Sequence, residues 1–285
     1  MKENLKTVMA IGGTDPCGGA GLSVDVRAIS SLGLHPLCIV TAVTAQNSKG
    51  VDLIQPVSHD TIYRQIDSVL EEVTPEAIKI GIVGSVDNAE EIADFLAARP
   101  KIIPAVIDPV ISATAGGNLF DEGKEGKRRM DLLSVYAESI FKVSTVVTPN
   151  LKEGEEILNY YGKDSKGLAP EEMAKLLLEE TQSEAIVLKG GHSEKNVITD
   201  FLAFKVNDEI RISEFSHPRI ECRNLHGSGC AFSSFLASYL AIGFPIEEAF
   251  KITCEFLHHI IENSDGYQLG FSDYGPLNIN GYNVI

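Results

Sequence analysis

Short apolar segments alternate with amphipathic segments along most of the chain, and this alternation restricts the fold more than any other feature. The apolar segments predict buried strands at Val8–Ile11, Leu37–Ala45, Ile78–Val83, Ile102–Ile107, Thr145–Thr148 and Ala185–Leu188. The segments between them have helical spacing at Gly19–Leu32, Ser58–Val73, Ala89–Ala98, around Leu132, Glu153–Tyr160 and Pro170–Glu180. Strands connected through helices pair in parallel, so we expect an α/β fold with a central, mostly parallel sheet and helices on both faces.

The remainder of the chain adds a small hairpin and two long helices. Val197–Lys205 and Glu209–Phe215 are predicted strands joined by three turn residues, and Gly229–Leu240 and Ile246–Asn263 are predicted helices. No linker, internal repeat or shift in composition interrupts the pattern. We therefore expect residues 1–285 to form a single domain.

Charge and cysteine usage restrict the partners and the compartment. The 40 acidic residues exceed the 24 basic ones, giving a net charge of −16 that argues against nucleic acid and anionic membrane partners. No apolar run approaches the roughly 18 residues of a membrane span, and the first residues lack the apolar core of a signal peptide. The 5 cysteines show no paired spacing. A cytoplasmic protein with a small-molecule partner is expected.

Polar or glycine-rich residues follow six of the predicted strands. They are Gly12–Gly21, Gln46 with Asn47, Ile82–Gly84, Asp108 with Pro109, Asn150–Glu153 and Lys189–His192. In open α/β sheets, ligands bind beyond the carboxyl ends of the strands. The sequence therefore predicts a binding site at this edge of the sheet.

The segment HGSGC, immediately before an apolar helix, contains the sharpest chemical signal. Gly227, Ser228 and Gly229 could present the free N–H groups of the first helical turn to a phosphate. A glycine-rich turn that only caps a packed helix has the same pattern, so the pattern alone leaves both interpretations open. Cys230 is either a small buried hydrophobe or a thiol whose pKa is lowered by the helix N-terminus.

The segment GGTDPCGGAGLSVD forms a second glycine-rich turn that matches neither the Walker A nor the dinucleotide pattern. Its glycines could admit a flat ligand close to the backbone, with Asp25 inside the following helix. The alternative is an ordinary turn, with Asp25 on a solvated face. Gln46 offers amide groups that suit a heteroaromatic ring, although a loop turn explains it equally simply.

Two further strand ends carry residues suited to a nucleotide and a metal. Asn150 and Glu153 have the spacing of a helix capping box, and the same carboxylate could organise water around Mg²⁺. Lys189 precedes two glycines at a strand end, where it would lie either beside a phosphate or on the surface.

From about Val8 to about Pro276 the chain resembles the hydroxymethylpyrimidine/phosphomethylpyrimidine kinases of thiamine biosynthesis, within the ribokinase-like superfamily. The resemblance rests on seven motifs in order: GGTDPCGGAGLSVD, TAVTAQNSKGV, KIGIVGS, VIDPVI, VVTPNLKEGE, VLKGGH and HGSGC. It implies a ribokinase-like fold, ATP with Mg²⁺, and transfer of the γ-phosphoryl group to a hydroxymethyl or phosphate oxygen. A homodimer is also implied.

The resemblance also implies roles for individual residues. On the substrate side, Asp25 and Gln46 would hold the pyrimidine, and Gly13 and Ile82 would line its pocket. On the nucleotide side, the implied residues are Lys189, Gly190, Asn150 and Asp108, with Glu153 acting on Mg²⁺ through water. Gly227, Ser228, Gly229 and Cys230 would form the anion hole, where Cys230 either accepts the hydroxyl proton or shapes the site.

Departures from the family pattern keep the substrate open. Cys17 and Ser228 stand where the family usually has Ser and Thr, and Ile82 stands where Met is frequent. Thr114 replaces a lysine often found in a flap facing substrate phosphates, so the second phosphorylation is not assured. Pyridoxal kinases share many of the motifs and are the nearest alternative. A non-catalytic pyrimidine sensor is the alternative from another class.

Overall fold

The computed structural model describes residues 5–99, 102–110, 125–191, 196–207, 209–266, 268–269 and 274–279. Within them, nine strands form one sheet in the order β3-β2-β1-β4-β5-β6-β7-β8-β9. The strands are β1 Thr7–Gly13, β2 His35–Asn47, β3 Gly50–Pro56, β4 Ala77–Ile80, β5 Ala105–Ile107, β6 Val146–Val147, β7 Ala185–Leu188, β8 Val197–Val206 and β9 Glu209–Pro218. Pairing is parallel from β2 across to β7 and antiparallel at both edges. The predicted mostly parallel sheet with a small hairpin, β8–β9, is confirmed.

Helices cover both faces of the sheet, as predicted. They are α1 Gly21–Ser31, α2 His59–Leu70, α3 Val86–Ala98, α4 Glu125–Val135, α5 Leu151–Tyr160, α6 Pro170–Thr181, α7 Ser228–Ile242 and α8 Ile246–Glu262. Alternate residues of a strand point to opposite faces, and β1 accordingly places Met9 and Ile11 in one core and Val8 and Ala10 in the other. The second core contains α1, α7 and α8. This arrangement centres α7 behind the middle of the sheet, in contact with β4 and β5.

Several element bounds differ by two or three residues from the sequence-based expectation, and two differences bear on the site. Strand β3 was missed, because its segment GVDLIQP begins with Gly, ends with Pro and has little regular alternation. Helix α1 begins at Gly21 instead of Gly19. The Asp15 carboxylate accepts the N–H groups of Cys17 and Gly19 at 2.9 and 3.1 Å, which keeps that stretch in a turn.

Among the described residues, none of the helices combines the length and the apolar character needed to cross a bilayer. The expectation that residues 1–285 form one domain stays a prediction.

Candidate active site

The carboxyl ends of six parallel strands lie at one edge of the sheet, and most of the predicted site residues follow them closely. Gly13 ends β1, Asp108 follows β5, and Asn150 and Lys189 follow β6 and β7. Asn150 and Lys189 are themselves paired as a parallel bridge, and the Lys189 N–H donates to the Pro149 carbonyl at 2.9 Å. The sequence correctly located this group at one edge.

Asp108 and Lys189 form an ion pair beneath the first turn of α7. Lys189 Nζ lies 2.9 Å from Asp108 Oδ1, and the two side chains are 14% and 5% exposed. Burial alone would raise the pKa of Asp108, but Lys189 and Lys79 outweigh it and lower that pKa. A Cβ at Gly229 would lie 3.5 Å from Lys189 Nζ and 3.8 Å from Asp108 Oδ2. The ion pair therefore links the ends of β5 and β7 to the glycine turn of α7.

The glycine turn begins α7 in the way the sequence predicted. Gly227 precedes the helix in the left-handed conformation, with φ of 84°, which favours glycine. Ser228, Gly229 and Cys230 form the first turn and are half-buried. The N–H groups of a first turn have no acceptor within their own helix, and a helix N-terminus favours anions. The Ser228 N–H donates to the Leu225 carbonyl at 3.1 Å, so the donors that the turn would offer to a phosphate are the Gly229 and Cys230 N–H groups. The turn thus caps a packed helix and also offers donors, and the two interpretations of the pattern are compatible.

Cys230 is a protonated thiol at neutral pH. Burial raises its pKa to about 11; Lys79 and the Gly21 N–H act in the opposite direction, while Asp108 and Asp25 add to the increase. The expectation of a lowered pKa was wrong, because burial and two nearby carboxylates outweigh the helix N-terminus. A neutral thiol has no capacity to take up a proton, which favours the alternative in which Cys230 shapes the site.

Asp25 lies in the protein interior and not on a solvated face. Its carboxylate oxygens lie 2.8 and 3.0 Å from Lys79 Nζ, and the Ser234 hydroxyl donates to Oδ1 at 2.7 Å. Both charged side chains are almost completely inaccessible. Through Asp25, Lys79 and Ser234, these contacts connect α1, β4 and α7. The glycine-rich turn before α1, Ile82 after β4 and the glycine turn before α7 lie at the ends of these three elements. Asp25 thus lies behind these turns, and a direct contact with a pyrimidine stays a prediction.

Lys79 was missed by the sequence analysis, although a signal was present. It is the only charged residue of β4, AIKI, a strand buried at every position, and a lysine is almost never buried unless paired. Burial opposes its charge, but Asp25, Cys230 and Asp108 outweigh burial and raise the pKa of Lys79. A Cβ at Gly81 would lie 2.9 Å from Nζ, so this glycine leaves space for the ammonium group.

The predicted pocket residues Gly13 and Ile82 are neighbours. A Cβ at Gly13 would lie 3.9 Å from Ile82 Cβ and 3.5 Å from the carbonyl oxygen of Ala42 on β2. The Thr41 hydroxyl donates to the Ile82 carbonyl at 2.5 Å. Gln46 lies farther along β2, half-buried in the β2–β3 hairpin beside a register shift. Gln46 therefore belongs to a hairpin, and the loop-turn alternative considered for it is wrong.

Asn150 and Glu153 form the predicted capping box of α5. The Glu153 N–H donates to Asn150 Oδ1 at 3.0 Å, and the Asn150 N–H donates to Glu153 Oε2 at 2.8 Å. Burial raises the pKa of Glu153 to about 7; Lys189 opposes this increase and Asp108 adds to it. The buried carboxylate is therefore poised between charged and neutral forms near neutral pH.

The carboxylates at this edge of the sheet could supply some of the ligands of Mg²⁺, with water and phosphate oxygens supplying the others. Within the described residues, no group of three or more His, Cys, Asp or Glu side chains could hold a metal ion. Asp108 and Glu153 lie near the same lysine and near each other, since Lys189 acts on the pKa of both and Asp108 acts on that of Glu153. Mg²⁺ commonly keeps several waters and takes one or two carboxylates together with substrate phosphates. The donor set suits that kind of binding.

Gly190 is fixed by a partner that the sequence analysis did not single out. Its N–H donates to Asp200 Oδ1 at 2.6 Å, and a Cβ at Gly190 would run into the Thr199 backbone of β8. The glycine is therefore required by the close approach of β8. Thr114 and the flap around it lie outside the described residues.

Comparisons with known proteins agree with this geometry. Residues 15–278 match the phosphomethylpyrimidine kinase family. A hydroxymethylpyrimidine/phosphomethylpyrimidine kinase of Staphylococcus aureus (strain MRSA252) is 32% identical over 274 residues, covering 96% of this chain and 93% of that protein. A phosphomethylpyrimidine kinase of Clostridium difficile 630 has a TM-score of 0.70 at 27% identity, covering 90% of this chain and 99% of that one.

A third match concerns the fold alone. The structure of pyridoxal kinase from Staphylococcus aureus in complex with AMP-PCP and pyridoxal has a TM-score of 0.80 at 22% identity. It covers 99% of this chain and 96% of that one.

A sheet of this topology, with these residues at its carboxyl edge, defines an α/β phosphotransferase of the ribokinase-like fold. Within that class the family match, which spans most of the sequence, is decisive. The chain belongs to the phosphomethylpyrimidine kinase family. The resemblance inferred from the seven motifs is confirmed.

Proposed function

We propose that the protein transfers the γ-phosphoryl group of ATP to 4-amino-5-hydroxymethyl-2-methylpyrimidine, to its monophosphate, or to both, in thiamine biosynthesis. One observation carries the proposal. The glycine turn of α7, the Asp108–Lys189 ion pair and the Gly13–Ile82 contact all lie at the same edge of the sheet. An acceptor alcohol beside Gly13 and Ile82 would therefore lie next to donors suited to a phosphoryl group.

The roles of the residues follow from their chemistry. The N–H groups of Gly229 and Cys230 stabilise charge on the transferring phosphoryl oxygens, assisted by the dipole of α7. Lys189, held by Asp108, adds a fixed positive charge beside the turn. Glu153 would hold Mg²⁺ through water ligands, and the bound ion would offset part of the phosphate charge. The acceptor oxygen forms a bond to the γ-phosphorus as the bond from that phosphorus to the β–γ bridging oxygen breaks, and ADP leaves. The proton of a hydroxyl acceptor passes to water.

ATP is the proposed phosphoryl donor. A structural neighbour was solved with AMP-PCP and pyridoxal. In this protein the groups that would bind the ATP phosphates are backbone N–H groups and one lysine. Such a site needs no basic patch, so the net charge of −16 is compatible with nucleotide binding.

The deciding experiment is a coupled ATP-consumption assay with three acceptors: hydroxymethylpyrimidine, its monophosphate and pyridoxal. We expect the highest kcat/KM for one or both pyrimidines. A higher kcat/KM for pyridoxal would assign the protein to the alternative activity, pyridoxal kinase. Tight pyrimidine binding without ATP consumption for any of the three would indicate the non-catalytic sensor.

The pyridoxal alternative has one observation in its favour, which is the fold of the structural neighbour named above. The family match and the curated relative favour the pyrimidine. Ile82, which stands where Met is frequent in the family, is the pocket residue through which the ranking of the two rings could differ.

A further inference from the structure

Two glycine-rich loops meet face to face at the active edge. We name residues 14–20, between β1 and α1, the substrate-side loop, and residues 224–229, which lead into α7, the phosphate turn. His226 Nε2 lies 3.1 Å from Asp15 Oδ2. The same aspartate accepts the N–H groups of Cys17 and Gly19, at 2.9 and 3.1 Å. Asp15 is thus the hub of the first loop, and its contact with His226 ties that loop to the second.

One glycine of each loop is required by the close approach of the two loops. A Cβ at Gly19 would run into the imidazole ring of His226, and a Cβ at Gly227 would run into the carbonyl oxygen of Gly19. Gly227 also has φ of 84°, which disfavours other residues. At these two positions glycine serves the packing of one loop against the other.

The backbone on either side of the contact is held independently of it. The His226 N–H donates to the Gly275 carbonyl at 3.2 Å, and His226 forms a bridge with Pro276. Arg27 donates to the carbonyls of Gly18 and Leu277, at 2.6 and 3.3 Å. Loss of the imidazole therefore removes the link between the loops and leaves each loop with its own supports.

The link is electrostatically favourable. The Asp15 side chain is 1% exposed and that of His226 is 16% exposed. Burial acts to raise the pKa of Asp15, but His226 and the Cys17 N–H outweigh burial and lower it. The carboxylate of Asp15 is consequently charged, and the imidazole N–H is its side-chain donor.

We propose that Asp15 and His226 are positioning residues that couple the substrate-side loop to the phosphate turn, so that occupancy of either loop by its ligand favours occupancy of the other. This inference rests on the proposed function, because the ligands are the acceptor pyrimidine and the ATP phosphates. Coupling of this kind is reciprocal: the factor by which one ligand tightens the second equals the factor by which the second tightens the first.

The first test needs no ligand. In His226→Leu, amide hydrogen exchange of Cys17 and Gly19 is expected to accelerate at least about tenfold, which corresponds to about 1.4 kcal/mol. His226→Gln retains a side-chain N–H near the position of Nε2 and is expected to exchange like the wild type. Arg64→Met removes an exposed ion pair on α2 and serves as the control. Unchanged exchange in His226→Leu would overturn the link. Should His226→Leu fail to fold, His226→Asn, whose amide group does not reach the position of Nε2, is measured in the same way and is expected to give the same acceleration.

The second test measures the coupling itself. Calorimetry gives the Kd of hydroxymethylpyrimidine with and without AMP-PCP and Mg²⁺. We expect AMP-PCP to tighten pyrimidine binding about 5-fold or more in the wild type, by a similar factor in His226→Gln, and by a factor near one in His226→Leu. In kinetics, His226→Leu should raise the KM for the pyrimidine more than it lowers kcat.

The outcomes separate the two proposals. Equal tightening in the wild type and His226→Leu would overturn the coupling while leaving the proposed function intact. Absence of pyrimidine binding in the wild type would instead contradict the proposed function. The hydrogen-exchange measurement would then be the test of whether His226 links the two loops.

Discussion

Lys79 and Asp25 place a pair of opposite charges in the interior, where one charge without its partner is costly. Breaking such a pair by removing one member typically costs about 3–5 kcal/mol, whereas an exposed pair contributes about 0–1 kcal/mol. We therefore expect Lys79→Met to lower the free energy of unfolding by several kcal/mol, measured by urea denaturation. The matched control, Arg64→Met, removes the exposed pair with Asp60 and should leave the free energy of unfolding nearly unchanged. Equal effects of the two variants would contradict a charged interior pair.

Cys230 is predicted to shape the acceptor site without acting as the base, since its pKa is raised to about 11. Cys230→Ser should then keep kcat within about tenfold of the wild type, and Cys230→Ala should mainly raise the KM for the acceptor. Steady-state kinetics with a saturating acceptor make the distinction. A loss of kcat in both variants of about 100-fold or more, the usual contribution of a general base, would restore the base role.

Because the pKa of Glu153 is raised in the folded protein, we expect the stability of the metal-free protein to depend on pH. The pKa of Glu153 is about 7 in the folded protein, against an ordinary value of 4.5. Between these pH values the folded state holds a proton that the unfolded state has released, so stability falls as pH rises through this window. Relative to Glu153→Gln, the wild type should lose up to about 3 kcal/mol from pH 4.5 to 7, at about 1.4 kcal/mol per pKa unit. Denaturant titrations with a chelator present measure this difference, and parallel pH profiles of the two proteins would refute the prediction.

At the scale of elements, the turn before α7 combines two requirements at Gly227, a left-handed backbone and the close approach of the Gly19 carbonyl. Gly227→Ala violates both, so we expect a loss of stability of at least about 1 kcal/mol together with a rise of the KM for ATP. Gly162→Ala is the matched control, because Gly162 is also left-handed, with φ of 72°, but no atom lies within 4 Å of its added Cβ. The control should lose stability with no change in KM. An equal KM in both variants would show that the loop contact does not affect nucleotide binding.

The sequence alone predicts the positions of the central strands but not the contacts between charged residues that are far apart in the chain. Parallel strands buried on both faces are nearly continuous apolar runs, so β1, β4 and β7 could be located and their polar ends grouped at one edge. Lys79 interrupts such a run, and its partner Asp25 lies 54 residues away in the chain. The hydrophobic periodicity of the sequence does not predict which charged residues, far apart in the chain, form an ion pair. The same holds for Asp15 and His226, since their contact depends on the way two loops fold over one edge.

At the scale of the whole molecule, the predicted homodimer has a candidate surface on the β2–β3 hairpin. Val43 is 52% exposed and Leu53 is 58% exposed. Leu53 pairs directly with Ala45, and Val43 pairs with Gln55 two residue pairs farther along the ladder, so these side chains share a face. An apolar face on the outermost pair of strands is a surface that a second copy could cover.

We therefore expect the wild type to elute as a dimer in size-exclusion chromatography with light scattering, and Leu53→Glu to elute as a folded monomer. The introduced carboxylate would be buried without a partner in the dimer but solvated in the monomer, so it acts on association more than on folding. Arg64→Met, an exposed change on α2 and outside the hairpin, should leave the dimer intact. Thermal denaturation of each variant verifies folding. A monomeric wild type, or a dimer that persists in Leu53→Glu, would exclude this hairpin face as the interface.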